Sequence, residues 1–229
     1  MPHSPPAALA DTILVTSNLA PALPGQESMS QEDREKWNAR YADASEADAD
    51  TACPFRDLQP PHAFVVAQAE RLRPGQTALD VAGGVGRHAI WLAKQGLEVS
   101  LLDISHLALE RAEAFAKEQG VKLATIEHDA ADDGLPQGQW DVILSSYFLR
   151  RELFNQFAQR LRPGGLLIFV QATASNLEKH AKPPRDFLLE DGELPGLLQG
   201  LEIVTFEEGW FEEGEDVRHE AQLVARRSD

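Results

Sequence analysis

A carboxylate followed by a glycine-rich run is the strongest chemical signal in the sequence. Asp80 closes a short apolar segment, residues 82–86 read Ala-Gly-Gly-Val-Gly, and helical sequence begins at Arg87. Glycines allow a tight turn and a close approach of backbone to a ligand, and the first amides of a helix have no intrahelical partner. The arrangement predicts a ligand site at this turn.

The spacing of the glycines leaves two classes of ligand open. Residues 84–89 satisfy the Gly-x-Gly-x-x-Gly/Ala fingerprint of dinucleotide-binding proteins, and Asp103 lies about 20 residues further on, where a ribose-binding acid is expected. Asp80 argues against a dinucleotide, because a carboxylate beside the glycines would repel a pyrophosphate. Two carboxylates favour an adenosine cofactor that carries a cation, and an NAD(P)-linked oxidoreductase is the weaker alternative.

Short apolar strands that alternate with amphipathic helices must position these residues. Strands are predicted at 77–81, 98–102, 122–127, 140–145 and 166–170, followed by two more at 201–206 and 217–226 with an acidic loop, 207–216, between them. Helices are predicted at 31–41, 62–71, 87–95, 105–120 and 151–161. The alternation is typical of βαβ units, and the last two strands predict a hairpin. We therefore expect an α/β fold with a doubly wound, mostly parallel seven-stranded sheet and an antiparallel C-terminal hairpin.

Motifs along the chain resemble those of the class I S-adenosylmethionine-dependent methyltransferases. The run around Asp80 resembles motif I of that family, and the turn Leu-Arg-Pro-Gly-Gly at 161–165 resembles the turn before its fifth strand. The tellurite-resistance-type small-molecule methyltransferases are the most similar subfamily, through the helix at 37–41 and the Gly-Arg-His-Ala sequence at 86–89. Ala82 departs from the family pattern, which usually has glycine there.

The resemblance implies a Rossmann-like methyltransferase fold and S-adenosylmethionine as cofactor. In that family the acid and glycines of motif I hold the methionine moiety, an acid after the second strand binds the ribose, and an acid after the third strand contacts adenine. The matching cofactor-binding residues here are Asp80, Ala82, Gly83, Gly84, Gly86, Asp103, Ile104, Asp129 and Ala130, with Trp37 and Tyr41 as a lid. For Trp37 and Tyr41, docking of their helix onto the domain is an equal alternative, and for Asp129 the alternative is a solvated loop.

The expected reaction is in-line displacement at the sulfonium methyl by a small-molecule acceptor. The cofactor carries its own leaving group, so the protein has mainly to position and desolvate the reactants. An anionic nucleophile needs no base, whereas an amine or hydroxyl does, and Tyr147 and His180 are the catalytic candidates. A non-catalytic module that binds S-adenosylmethionine or S-adenosylhomocysteine is the alternative.

Several cations follow strand ends on the ligand side of the predicted sheet. Charge-assisted bonds from such cations would hold an anionic substrate. The candidate substrate-binding residues are Arg150, Arg151, Lys182 and Arg185. For any single one of them, a solvated loop is the simpler interpretation.

Composition excludes several partners. With 21 basic and 37 acidic side chains in 229 residues, the formal net charge is −16, which argues against nucleic acid and anionic membranes. Cys53 is the single cysteine and no histidines pair at helical ligand spacing, so we expect no disulfide and no metal. No apolar run approaches about 18 residues, and the first basic residue is Arg34, so a secretory signal is not expected. These features predict a cytoplasmic protein, and its oligomeric state is left open between monomer and homodimer.

The predicted domain organisation is simple. Residues 1–29 are rich in alanine and proline and are expected to form a disordered leader, since Met29 resembles a natural start. Residues 30–229 are expected to form a single methyltransferase domain. Within it, 30–73 would be an N-terminal helical lid and 172–200 a substrate-side insertion.

Overall fold

The computed structural model describes residues 29–46, 57–213 and 216–228. The strands are β1 (Thr77–Val81), β2 (Glu98–Asp103), β3 (Ala124–Glu127), β4 (Trp140–Ser146), β5 (Leu161–Ala172), β6 (Leu201–Glu213) and β7 (Asp216–Arg227). The helices are α1 (Met29–Glu46), α2 (Ala63–Val66), α3 (Arg87–Lys94), α4 (His106–Glu118), α5 (Phe154–Arg160) and α6 (Leu194–Leu197). Apart from Met29, the predicted leader lies outside the described residues, as does Cys53.

The strands form one sheet in the order β3-β2-β1-β4-β5-β7-β6, which confirms the predicted α/β fold. Strands β1 to β5 pair in parallel, whereas β7 runs antiparallel to both β5 and β6. The order reverses between β1 and β4. In such a sheet a ligand binds outside the carboxyl ends of the strands at the reversal, which is where the glycine-rich turn lies.

Different helices cover the two faces of the sheet. Successive strand residues point to opposite faces, so Leu79 shares a buried cluster with Phe154 and Phe157 of α5. Its neighbour Ala78 belongs to the other cluster, which includes Leu92 of α3. Burial on both faces is the reason why these strands are nearly continuous apolar runs. Among the described residues, no helix combines the length and the apolar character needed to span a bilayer.

The prediction of a single helix over residues 62–71 is wrong. α2 is one turn, and a 3-10 turn at Ala69–Arg71 follows it. The Gln68 side chain explains the break, because its Nε2 donates to the Phe64 carbonyl at 2.9 Å. In a continuing α-helix the Gln68 amide would bond that carbonyl. Instead it bonds the Val65 carbonyl at 3.1 Å.

The prediction of an acidic loop at residues 207–216 is also wrong, because β6 and β7 continue through most of this range. The two strands stay paired, with Trp210 opposite His219. β6 is an edge strand, and charged side chains on an edge oppose pairing with another chain. The exposed acids along this edge are Glu202, Glu207 and Glu212.

The segment between β5 and β6 folds against β7. Asn176 is buried, and its Oδ1 accepts a hydrogen bond from the His219 amide at 3.2 Å. Thr173 and Leu189 form an isolated parallel bridge further along. These contacts hold the segment at the carboxyl end of β5. The carboxyl ends of the parallel strands form the ligand side of the sheet.

We expect Phe157→Ala to lower the free energy of unfolding by about 3–5 kcal/mol, because truncating a buried aromatic leaves a cavity. Phe157 is 1% exposed and packs edge-on against Phe154, with ring centroids 5.4 Å apart. Phe187 is 46% exposed and provides the matched control, for which we expect a loss of about 1 kcal/mol or less. Urea denaturation measures both, and equal losses would contradict the assignment of the core.

Candidate active site

The turn after β1 brings backbone close to the cleft. Ala82 and Gly84 have φ angles of +53° and +57°, and Gly86 precedes α3 with a φ of +82°. A Cβ added at Gly83 would lie 2.5 Å from Oδ2 of Asp80. The turn therefore has no room for a side chain at that position.

Asp80 is buried beneath this turn. Its Oδ2 accepts a hydrogen bond from the Ala89 amide at 3.0 Å, whereas its Oδ1 has no hydrogen-bond partner among the described residues. Burial raises the pKa of Asp80 to about 7, and the bond from Ala89 opposes that rise. A cation beside Oδ1 would supply the missing partner and favour the ionised carboxylate.

Asp103 ties the end of β2 to the turn. Its Oδ2 accepts from the Gly84 amide at 2.8 Å, and its Oδ1 accepts from the Ser105 amide at 2.9 Å. Burial raises the pKa of the Asp103 carboxyl, and these backbone bonds oppose the rise. Asp103 and Ile104 both line the cleft, where a fixed carboxylate can accept hydrogen bonds from hydroxyl groups.

α1 contributes Trp37 and Tyr41 to the lining of the cleft. Their rings stack with centroids 6.2 Å apart, and the Tyr41 hydroxyl stands over Gly84, where an added Cβ would be 2.7 Å from it. Asn38 fixes the helix, because its Oδ1 accepts from the Ser105 hydroxyl at 2.6 Å. α1 is thus both docked on the domain and placed at the cleft, as each of the two interpretations requires.

A third acid stands after β3. Asp129 is buried, and its Oδ1 accepts hydrogen bonds from the Ala131 amide at 2.8 Å and the Asp132 amide at 3.3 Å. Asp129 lines the cleft beside Ala130. The local turn therefore presents one carboxylate oxygen that backbone amides already hold.

Three residues that follow β4 contribute to the lining of the cleft. Tyr147, Phe148 and Arg150 all line it. Tyr147 has a φ of +55°, a conformation that costs a non-glycine residue free energy and that is common at functional sites. Its hydroxyl donates to the carboxylate of Glu220.

The cleft brings together most of the predicted site residues. Those that line it are Trp37, Tyr41, Ala82, Asp103, Ile104, Asp129, Ala130, Tyr147 and Arg150. Asp80, Gly83, Gly84 and Gly86 belong to β1 and the adjoining turn. Sequence reasoning missed other lining residues, namely Asp33, Leu102, His128, Ala131 and Phe148. His128 and Ala131 flank the predicted pair at 129–130, so adjacency along the chain was the signal that could have found them.

Two predicted arginines are held by carboxylates outside the cleft. Arg151 Nε lies 2.5 Å from Glu193 Oε1, and Arg185 pairs with Glu190. Neither arginine is among the residues that line the cleft in the described part of the chain. The neighbouring acids therefore take up the charges that were expected to meet a substrate.

His180 and Lys182 are also not brought to the cleft. His180 Nε2 lies 2.7 Å from the Val217 carbonyl oxygen, and the Lys182 side chain is exposed. Within the described residues, both stand outside the set that lines the cleft. Of the two catalytic candidates, only Tyr147 is at the site.

We expect Ala82→Gly to raise the free energy of unfolding by up to about 1 kcal/mol. A left-handed conformation costs a residue with a Cβ about 1–2 kcal/mol, and the greater freedom of glycine in the unfolded chain offsets about 0.5–1 kcal/mol of that gain. Ala78→Gly, in β1, is the matched control and should destabilise the protein. A denaturation midpoint that falls equally in both variants would show that the turn is unstrained.

Known proteins are similar to the part of the chain that contains the glycine-rich turn. Residues 78–165 match the family described as "Methyltransferase domain". A ribosomal protein methyltransferase of Thermus thermophilus is 35% identical over 101 residues, which are 43% of this chain and 39% of that protein. The chain thus spans less than half the length of this curated relative.

Solved structures share the fold over a longer stretch. TehB from Haemophilus influenzae superposes with a TM-score of 0.64 at 20% identity, covering 82% of this chain and 67% of that chain. Magnesium protoporphyrin IX methyltransferase from Synechocystis, solved with bound SAH, gives a TM-score of 0.65 at 19% identity, covering 88% and 100%. Likeness at this identity shows a Rossmann-like methyltransferase fold. The match to the methyltransferase-domain family over residues 78–165 lies within this shared fold.

Proposed function

We propose that this protein transfers a methyl group from S-adenosylmethionine to a small-molecule acceptor, by in-line displacement at the sulfonium methyl. The observation that carries the proposal is the buried Asp80, whose Oδ1 lacks a partner among the described residues. It lies beneath a turn that has no space for a side chain at Gly83. A buried carboxylate in this state favours a ligand with a cationic group.

The carboxylates of the cleft fit the cofactor of the family. Asp80 would accept from the cationic amino group of the methionine moiety, and Asp103 would accept from the ribose hydroxyls. Asp129 and Ala130 would lie against the adenine. Each of these acids is buried, and each already accepts at least one backbone amide, so the ligand would meet preorganised acceptors.

The protein's own part in the reaction is placement and exclusion of water. When bound, S-adenosylmethionine supplies an electrophilic methyl group on a sulfonium. Trp37, Tyr41 and Phe148 line the cleft. Their aromatic surface would exclude solvent from a bound cofactor. Holding two reactants in line can account for roughly 7–11 kcal/mol of a barrier. The step as proposed needs no metal, because the cofactor carries its own leaving group.

Arg150 supports an anionic acceptor. It is half-buried and lines the cleft close to Tyr147 and Phe148, beyond the end of β4. A guanidinium there can form charge-assisted bonds with a carboxylate or an oxyanion. We further propose that the protein acts in the cytoplasm as a monomer or homodimer, and that its net charge of −16 keeps nucleic acid away.

The affinity for S-adenosylmethionine should rise about tenfold or more between about pH 5.5 and 7.5. Burial raises the pKa of Asp80 from 3.8 to about 7, so the free protein holds a proton that a cationic ligand must displace. The folded protein binds this proton more tightly than the unfolded chain does. The free energy of unfolding of the ligand-free protein should therefore fall as the pH rises from about 4 to 7. Calorimetry in two buffers of different ionisation enthalpy would detect the released proton.

Asp80→Asn should bind S-adenosylmethionine weakly and with little pH dependence over that range. Asp133→Asn provides the control, because Asp133 is exposed in the loop after β3. A pH dependence that survives in Asp80→Asn would contradict the role assigned to Asp80. Stronger binding of NAD than of S-adenosylmethionine would instead favour the dinucleotide alternative.

Arg150→Ala should raise the KM for an anionic acceptor at least tenfold, with little change in affinity for S-adenosylmethionine. Radiolabelled methyl transfer to a panel of thiols, amines, carboxylates and chalcogen oxyanions identifies the acceptor and measures its KM. Arg185→Ala should leave KM unchanged, because Arg185 pairs with Glu190 outside the cleft. Binding of the cofactor without transfer to any acceptor would point to a non-catalytic binding module.

A further inference from the structure

A cluster of buried polar side chains lies beside the cleft, and the proposed function does not yet use it. Its centre is Glu220, whose side chain has no exposed surface. Glu220 pairs with Ala172 at the carboxyl end of β5, next to the end of β4 that precedes Tyr147. A carboxylate withdrawn from solvent needs specific partners, because burial of an unpaired charge is costly.

Each oxygen of Glu220 has such partners. Oε1 accepts from the Tyr147 hydroxyl, and Oε2 accepts from His62 Nε2 at 3.1 Å and Gln222 Nε2 at 3.3 Å. His62 Nδ1 accepts from the Phe64 amide at 3.1 Å, so Nε2 carries the hydrogen that points at Glu220. Burial alone would raise the pKa of Glu220, but the bonds from His62 and Tyr147 hold it below its usual value. Glu220 is therefore an ionised acceptor at neutral pH.

Two arginines flank the ring of Tyr147. The guanidinium carbon of Arg87 lies 5.9 Å from the ring centroid, and that of Arg218 lies 5.3 Å from it. Arg218 also pairs with Asp216 at 3.0 Å. Burial lowers the pKa of Arg218, but the bond to Asp216 and the charges nearby raise it overall, so it remains a cation. Arg218 interacts with the charge of Glu220, which helps to raise the pKa of Arg218.

His88 completes the surroundings of His62. Its Nε2 accepts a hydrogen bond from the His62 amide at 3.2 Å. Burial lowers the pKa of His88 well below its usual value, so its ring stays neutral and can accept that bond. The backbone of His62 is thereby held in place, and its side chain is directed at Glu220.

We propose that Tyr147 and Glu220, with Glu220 oriented by His62, form a relay that removes the proton of a methyl acceptor whose nucleophile is an amine or a hydroxyl, an inference that rests on the proposed methyl transfer. The acceptor's heteroatom forms its bond to the methyl carbon, the carbon–sulfur bond breaks, and the sulfur keeps the electron pair. The acceptor's proton passes to the oxygen of Tyr147, and the hydroxyl hydrogen of Tyr147 passes to Oε1 of Glu220. No further reactant is needed.

Glu220 is a positioning residue in this relay, because it acts through Tyr147. The Tyr147 hydroxyl directs its hydrogen to Glu220, and a phenolic oxygen can act as an acceptor as well as a donor, so it can receive the hydrogen of an incoming acceptor. His62 supplies a second donor that orients the carboxylate. Positioned proton transfer of this kind contributes about 10²–10⁴-fold to a rate.

The first test needs no acceptor. The sequence has 2 tyrosines, so Tyr41→Phe leaves Tyr147 as the sole phenol. Near-ultraviolet absorbance titration of this variant, with tryptophan fluorescence as a check on folding, reports the ionisation of Tyr147. Adding Glu220→Gln should shift that ionisation to lower pH by about one unit or more, because an adjacent negative charge is removed. An unchanged titration would overturn the relay.

The second test measures turnover with the acceptor found by the panel. Glu220→Gln should lower kcat about 10²-fold or more, with KM and the affinity for S-adenosylmethionine within about twofold of the wild type. Glu202→Gln, in the same hairpin but exposed on β6, should change neither kcat nor the Tyr147 titration. An equal loss of kcat and cofactor affinity in Glu220→Gln would indicate a structural role and overturn the relay.

The two proposals fail in different ways. A wild type that binds S-adenosylmethionine but methylates nothing contradicts methyl transfer, while the titration still decides whether Tyr147 donates to Glu220. A wild type whose acceptors carry no removable proton supports methyl transfer but overturns the relay. A kcat loss in Glu220→Gln that is confined to proton-bearing acceptors supports both.

Discussion

The hydrogen bond from the Gly84 amide to the Asp103 carboxylate joins the ends of β1 and β2, and the cleft depends on it. The bond requires the turn conformation in which Gly84 has a φ of +57°. It also occupies a backbone amide that a dinucleotide-binding turn would offer to a phosphate. The cleft therefore presents the carboxylates of Asp103 and Asp129, and its electrostatics favour a ligand with a positive charge.

The parts of the molecule that follow from local sequence could be predicted. The order of β1 to β5 and the glycine-rich turn depend on short apolar runs and on glycine spacing, both of which are visible within about ten residues. Asp80 and Asp103 could be placed because each stands at the end of a strand, and parallel strands end at one edge of a sheet.

Features that depend on distant partners could not be predicted. His62 and Glu220 are 158 positions apart, and no local pattern marks either of them as functional. Arg151 and Arg185 carry the charge expected of substrate-binding residues, yet acids of the folded segment before β6 hold them instead. The hairpin exceeds its expected length because cross-strand pairing overrides the acidic composition of residues 207–213.

The exposed acids of β6 lie apart from the carboxylates of the cleft. β6 is the outermost strand on one side of the sheet, whereas the cleft lies at the ends of β1, β2 and β4, nearer its middle. The exposed acids of β6 thus contribute to the repulsion between molecules in a crowded solution. Substitutions along this edge can therefore alter the solubility of the protein while the residues of the cleft, and the chemistry proposed for them, stay the same.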